Sequence, residues 1–238
     1  MPISISVVID TDMCRLADQV KMNIYRSLQK GAEMAERGRP RGFDRREALE
    51  RAMRLFWSKT YEGASLTDLT DAMGINAPSL YAAFGSKEQL FREAVEHYAE
   101  HHGIEIWRAL EETPDPRTAI ERFLLATAQA YSMPGEPRGC LIVLGAQHGT
   151  EGTNAAHREL RGRRRDNLRQ LADRLARAVA EGELAENFPV REAAAFYLSV
   201  QTGMSVLARD GADRSTLEAV ARAAMLGWDH WCGSQGQP

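Results

Sequence analysis

Cysteine is scarce in this chain, with only Cys14, Cys140 and Cys232. Their odd number and wide spacing point neither to a disulfide framework nor to a zinc cluster, and a reducing compartment follows. Aromatic residues make up only 7% of the sequence, and Ala, Leu, Glu and Arg are plentiful, a mixture that favours helices over sheets. No apolar run approaches the roughly 18–20 residues of a membrane span. Met1 to Ile9 lacks the basic n-region and small-residue cleavage site of a secretory signal. A cytoplasmic protein without membrane contact is expected. No Gly-rich phosphate loop, nucleophile elbow or paired metal motif occurs, so the chain is not expected to be an enzyme.

A large charge of either sign is also missing: 30 basic against 33 acidic side chains leave −3 over 238 residues. That excludes a globally basic nucleic-acid coat, but not a local one. Residues 1–36 carry a net −1, residues 37–92 a net +3, and residues 93–238 a net −5. The excess in the middle segment lies at its start. There Arg37-Gly38-Arg39-Pro40-Arg41-Gly42 is interrupted by Gly and Pro too often to be a helix. It reads as a basic arm or, more blandly, a solvated linker.

What is present is helical periodicity with clear punctuation. Asp44 is a good N-cap, and Ala48, Leu49, Ala52, Met53, Leu55, Phe56 and Tyr61 recur at helical spacing up to Gly63. Ser65-Leu66-Thr67-Asp68 opens a short helix that Gly74 stops. Asn76 caps the next, which tolerates Pro78 in its first turn and ends at Gly85. Ser86-Lys87-Glu88-Gln89 opens a longer one. Two short helices across a tight turn, braced on both sides, form a helix-turn-helix pattern.

The run from Gly63 to Thr70, then Met73-Gly74-Ile75-Asn76-Ala77-Pro78-Ser79-Leu80-Tyr81, then Phe84 to Phe91, closely resembles the N-terminal domain of TetR-type transcriptional regulators. The match is nearly continuous from about Phe43 to Val95. Family members often carry a basic or hydroxyl residue where Ala77 stands. The resemblance implies an all-α fold, with a helix-turn-helix domain at 37–92 and a helical effector-binding and dimerisation domain at 93–238. Residues 1–36 would be an extension, with Met22 and Met34 as alternative starts.

It further implies a homodimeric regulator, a repressor released from a palindromic double-stranded DNA operator by a small molecule. The expected DNA contacts are Arg39, Arg41, Ser65, Thr67, Asn76, Ala77, Pro78, Ser79, Tyr81 and Lys87. The helix from Asn76 to Phe84 offers one long donor, Tyr81, so methyl contacts and DNA shape are expected to supply much of the specificity. Tyr81 could equally be a core residue.

Beyond the head, helices are expected at Arg117–Tyr131, through the apolar run Cys140–Ala146, at Asn154–Ala185, at Val190–Ala208 and at Arg214–Trp231. From position and character, Trp107, Phe123, Thr127, Tyr131, Leu144, His148 and Gln201 are candidates for an effector pocket suited to an apolar or amphipathic ligand. Phe196, Tyr197, Val200, Met204, Leu217, Val220, Ala224 and Trp228 are candidates for the dimer interface, unless both stripes are buried within one subunit. His97 and His101, at i and i+4 with His102 beside them, invite a metal reading with Glu93 or Glu105, against a plain hydrated face; no metal or cofactor is expected. Arg161-Gly162-Arg163-Arg164-Arg165 reads as a solvated helix face rather than a second basic patch. Cys140 could be a redox or electrophile sensor, or an inert buried thiol. A helical enzyme or interaction module without operator binding is the alternative from another class.

The extension has no role in this scheme. A chain starting at Met34 is expected to bind operator DNA as tightly as the full sequence in a gel shift; loss of affinity would show that the extension takes part.

Overall fold

The computed structural model describes residues 43–146 and 155–233, and from Asp44 onward they form one packed unit. The helices are α1 (Arg45–Gly63), α2 (Leu66–Met73), α3 (Ala77–Phe84), α4 (Lys87–His101), α5 (Ile104–Glu111), α6 (Pro116–Tyr131), α7 (Leu141–Leu144), α8 (Ala155–Ala180), α9 (Val190–Arg209), α10 (Arg214–Met225) and α11 (Trp228–Gly233). Among the described residues there is no strand, and the fold is all-α as expected. Arg39, Arg41, Cys14, His148 and the whole extension 1–36 lie outside the described residues.

The first four helices follow their caps. The Asp44 carboxylate accepts from the backbone N–H groups of Arg46 and Glu47, at 2.9 and 3.2 Å. Ser65 forms a reciprocal capping box with Asp68, and the Asn76 side chain accepts from the Ser79 N–H at 2.8 Å. Gly74 takes φ 68°, ψ 31°, a left-handed stop that lets Ile75 N–H reach back to the Thr70 carbonyl at 3.1 Å. A residue with a Cβ is strained there. The four helices bury Met53, Phe56, Leu69, Leu80, Leu90 and Phe91 completely or nearly so. Phe91 meets Phe56 and Tyr61 edge-on, each at 5.0 Å between ring centroids. Each such side chain contributes about 1.5–3 kcal/mol of burial, and Phe56→Ala would cost roughly 3–5 kcal/mol.

α4 crosses the boundary anticipated between residues 92 and 93, so one helix braces α1 and also borders the rest of the body. There α6 packs on α5 and α10, and α9 packs on α8, α10 and α6. Several boundaries differ from expectation for identifiable reasons. α8 ends at Ala180 and not Ala185, because Gly182 turns the chain with φ +77°. The last helix breaks at Leu226–Gly227 instead of running to Trp231. The apolar run after Cys140 holds only one helical turn, since Cys140 is extended and its N–H is fixed by the Ser205 hydroxyl at 2.9 Å. Neighbouring Gly139, at φ +80°, lies so close that a Cβ would fall 2.6 Å from the Ser205 carbonyl oxygen. Only glycine fits.

Arg174 of α8 is buried. Its guanidinium donates to the carbonyls of Leu110, Thr113 and Pro114 at 3.3, 2.9 and 2.5 Å, capping the end of α5. The three histidines do not converge on one point. His97 donates to Glu50 at 2.7 Å, His101 donates to the His97 carbonyl at 2.9 Å, and His102 lies 3.6 Å from Glu50. Glu93 is held by Arg45 and Glu105 by Arg108.

A break inside α1 joins its end to the body. Thr60 leaves the helix with φ 67°, ψ 169°. The next N–H, that of Tyr61, therefore donates to the Gly145 carbonyl at 2.8 Å rather than up its own helix. The carbonyls of Trp57 and Ser58 accept instead from Arg209 of α9, at 2.7 and 3.2 Å, and the same guanidinium reaches the Arg138 carbonyl at 2.9 Å. A β-branched residue in this backbone region is strained by roughly 1–3 kcal/mol. Thr60→Gly is accordingly expected to raise thermal stability by about 2–4 °C, the shift that ~1 kcal/mol produces in a chain of this size. A lower melting temperature would show that Thr60 is relaxed.

Candidate nucleic-acid interface

The outward face of the second helix of the pair is narrow and nearly uncharged. Leu80 and Phe84 are buried at 0% and 3% exposure and fasten α3 to the core. Ala77, Pro78 and Ala82 are exposed, Ser79 is half-buried, and Tyr81 stands out at 46%. Tyr81 is therefore not a core residue. A thin face with one long donor can lie close against a groove without steric conflict. Asn76 is exposed, but its carbonyl oxygen is engaged in capping, so its structural role comes first. Ser65 is likewise committed: its hydroxyl donates to Asp68 at 2.7 Å and accepts from the Asp68 N–H at 3.0 Å. Thr67 is exposed in the first turn of α2, where backbone N–H groups point toward any anion.

Most cations of the head already have partners. Arg45 makes a forked contact with Glu93, at 2.9 and 2.7 Å, and lies over the Phe84 ring. Arg51 pairs with Glu47, and Arg54 with Glu50 and Glu136. Lys59 pairs with Asp68 at 2.8 Å, and its hydrogen bond, helped by Ser65, holds that carboxyl far below the usual range. Arg92 lies 3.8 Å from Glu88 and 3.9 Å from Glu159. Lys87 rests over the Tyr61 ring at 4.4 Å. Burial lowers its pKa, against the opposing charge of Glu62. Arg46 is exposed and enters no ion pair among the described residues. Arg46 is therefore a candidate phosphate contact that the expected set lacks; its position just inside the Asp44 cap was the available signal.

The comparisons with known proteins agree on one family. The family model for bacterial regulatory proteins of the tetR family matches residues 48–94. The HTH-type transcriptional repressor ComR of Escherichia coli K12 is 33% identical over 196 residues, covering 81% of this chain and 92% of that one. The HTH-type transcriptional repressor BdcR of the same organism is 30% identical over 193 residues, covering 80% and 90%. A cysteine mutant of the TetR family transcriptional regulator CifR, solved in complex with 26bp double-strand operator DNA, is 45% identical with a TM-score of 0.76, covering 80% of this chain and 100% of that one. The chain belongs to the TetR family. It is thus a DNA-binding transcriptional regulator and not an enzyme.

A cavity of about 220 Å³ lies between α4, α6, α8 and α9, with Trp107, Tyr131 and Gln201 in its wall. Phe123 packs behind Trp107 at 5.3 Å, and Thr127 accepts from the Gln201 amide at 3.3 Å, so these two support the lining from behind. Leu144 is buried against Gly139 instead of lining the cavity. Tyr98, Cys140, Asn167 and Gln170 line it too. Among these, Tyr98 was missed because its spacing reads simply as the core stripe of α4. A second, more open cavity of about 500 Å³ involves Tyr98, Trp57, His101, His102 and Glu136, none of them among the expected pocket residues.

The predicted interface residues divide by exposure. Tyr197, Met204, Leu217, Ala224 and Trp228 are buried within the subunit, where the stripes pack on α6 and on each other. Val200 and Val220 are half-buried, and Phe196 is 38% exposed. The exposed large apolar side chains from residue 190 onward are Phe196, whose ring also meets Trp231 at 5.9 Å, Val206, Leu207 and, at 83% exposure, Leu226. Val206 and Leu207 add exposed apolar surface on α9 beyond the expected set.

Tyr81→Ala is expected to weaken specific DNA binding by on the order of tenfold, as loss of a 1–3 kcal/mol groove contact would. Its melting temperature should stay within a degree or two, because the side chain is half exposed. Unchanged affinity in a fluorescence-anisotropy titration would remove Tyr81 from the interface.

Proposed function

We propose that this TetR-type regulator is a homodimeric repressor that blocks its operator with two copies of α3 and releases it when a small molecule enters the body. The observation that carries the reading is α3 itself, held by Leu80 and Phe84 with Tyr81 and small residues turned outward. Functionally the chain divides near residue 92, with the DNA-reading head before it and the effector-binding and dimerisation part after it. The repressor sense is supported by ComR and BdcR, and operator binding by the CifR complex. A regulator of this kind acts in the cytoplasm, where the chromosome is.

Dimerisation is supported by the exposed Phe196, Val206 and Leu207 of α9 and Leu226 just after α10. Buried together, they would remove an apolar patch that a soluble monomer rarely displays. Two heads related by a twofold axis would meet half-sites about 34 Å apart, or a multiple of that.

Release needs an effector that binds the two arrangements of the heads with different affinity. The cavity between α4 and α9 is the site best suited to it. Gln201 in its wall and Arg209 at the carbonyls of Trp57 and Ser58 are on one helix, so a shift of α9 acts directly on α1. Ser65, Thr67 and the Lys87 ammonium are assigned to phosphate positioning, and Arg39 and Arg41 to the adjacent groove.

The charge inventory gives a quantitative test. With Arg46 and Lys87 alone at the phosphates of two half-sites, the slope of log affinity against log salt should be about −4; adding both copies of Arg39 and Arg41 takes it to about −7. The full chain on a fragment containing its own promoter should show the steeper slope, and Arg39→Ala/Arg41→Ala the shallower one. Absence of any specific gel shift at moderate salt defeats the proposal.

A further inference from the structure

The more open cavity of about 500 Å³ is bounded by α1, α4, α5 and α6 and by the turn that follows α6. Its lining shares only Tyr98 with that of the smaller cavity. Two of its lining residues carry a buried polar atom with no hydrogen-bond partner among the described residues: Trp57 at its indole Nε1 and Glu136 at Oε2. Trp57 is 2% exposed, and the other Glu136 oxygen is taken by Arg54 at 2.7 Å. Buried polar atoms are nearly always hydrogen-bonded. A donor and an acceptor left open at one cavity therefore point to a ligand that completes both.

The charge around the cavity selects the ligand. Arg54 also donates to Glu50 at 2.7 Å, so one guanidinium is shared by two carboxylates. His97 donates to Glu50 at 2.7 Å, and His102 lies 3.6 Å from the same carboxylate. Burial lowers the His102 pKa against the pull of Glu50 and Glu136, which favours the neutral ring. With neutral histidines the group carries one negative charge in excess. Glu105 adds a further carboxylate to the lining, itself paired with Arg108. Much of the remaining wall is rings: Trp57 and Tyr98 meet edge-on at 4.8 Å, and His102 stacks on Tyr98 at 5.7 Å. A negative excess beside electron-rich ring faces attracts a cation and repels an anion.

We propose that this cavity binds a small organic cation, an amine with a ring body and an oxygen acceptor. The ammonium donates to Glu136 Oε2, and the oxygen accepts from the Trp57 indole N–H. Both open atoms are thereby satisfied. The amine also supplies the positive charge that two carboxylates around one guanidinium lack. The terminal torsion of a glutamate is soft, so Glu136 can turn Oε2 toward the ligand. The volume falls within the roughly 300–1,000 Å³ of small-molecule sites, enough for a single-ring amine. This site is distinct from the smaller cavity assigned to operator release.

The test is isothermal titration calorimetry of the full chain with tyramine, para-ethylphenol and para-hydroxyphenylpropionate, three charges on one ring-and-hydroxyl frame. Tyramine should bind on the order of tenfold more tightly than para-ethylphenol, and the propionate more weakly than either. Phenethylamine, which lacks the hydroxyl, should bind more weakly than tyramine, and Trp57→Phe should erase that difference. Glu136→Gln keeps the size of the side chain and should bring tyramine down to the level of para-ethylphenol. Ala130→Phe, at a half-buried position of the lining, should fill the cavity and abolish binding. That variant locates the ligand even where Glu136→Gln fails to fold. Equal affinity of the wild type for tyramine and para-ethylphenol overturns the assignment, as does tyramine binding that survives Ala130→Phe. Absence of any tyramine binding at millimolar concentration overturns it as well.

Discussion

The contact on which the arrangement turns is a single guanidinium. Arg209, at the end of α9, holds the carbonyls of Trp57 and Ser58 where α1 breaks, and the Arg138 carbonyl beside them. Those carbonyls need a donor because Thr60 turns away from helical geometry and sends the Tyr61 N–H to Gly145. Without the break α1 would be a continuous helix with no polar tie to the body at that point. With it, the helix that supports the DNA-reading pair is joined by directed hydrogen bonds to the helix that walls the cavity. Burial lowers the Arg209 pKa against the effect of Tyr98, but a guanidinium remains charged at any physiological pH, so the tie does not weaken with ordinary pH change.

Tyr98 gives a second line of communication. It packs edge-on against Trp57 of α1 at 4.8 Å and also lines the cavity. One ring thus touches both the brace of the head and the cavity. Interiors at this packing density transmit displacement rather than absorb it, so movement at Tyr98 reaches Trp57 directly.

The head was legible because its signals are local. Asp44, Ser65, Asn76 and Ser86 all cap the helices that their spacing announced, and Gly74 makes the turn that its position required. The body was less so, because its decisive contacts join residues far apart in the chain. Nothing near Thr60 announces a break in α1; its partners, Gly145 and Arg209, lie much later in the sequence. The burial of Arg174 has no local signal, because the carbonyls it satisfies belong to α5 and the turn after it. The dimer candidates show the limit of periodicity. Two faces of α9 are apolar, and only packing distinguishes Tyr197 and Met204, turned inward, from Val206 and Leu207, turned outward. For the cavity, Trp107, Tyr131 and Gln201 were found from character and position, but the grouping of Tyr98 with Cys140 needs the tertiary fold to appear.

The internal pairing of the head's cations has a consequence for how such a regulator can evolve. Arg45, Arg51 and Lys59 are neutralised by Glu93, Glu47 and Asp68, so latent positive charge is stored beside the DNA-reading surface. Loss of a single acidic residue would unmask a cation already in place. Affinity for DNA in general can thus increase through the acids, while the groove-facing residues of α3, and with them the choice of sequence, stay as they are. Strength and selectivity of binding become separately adjustable traits in one small domain.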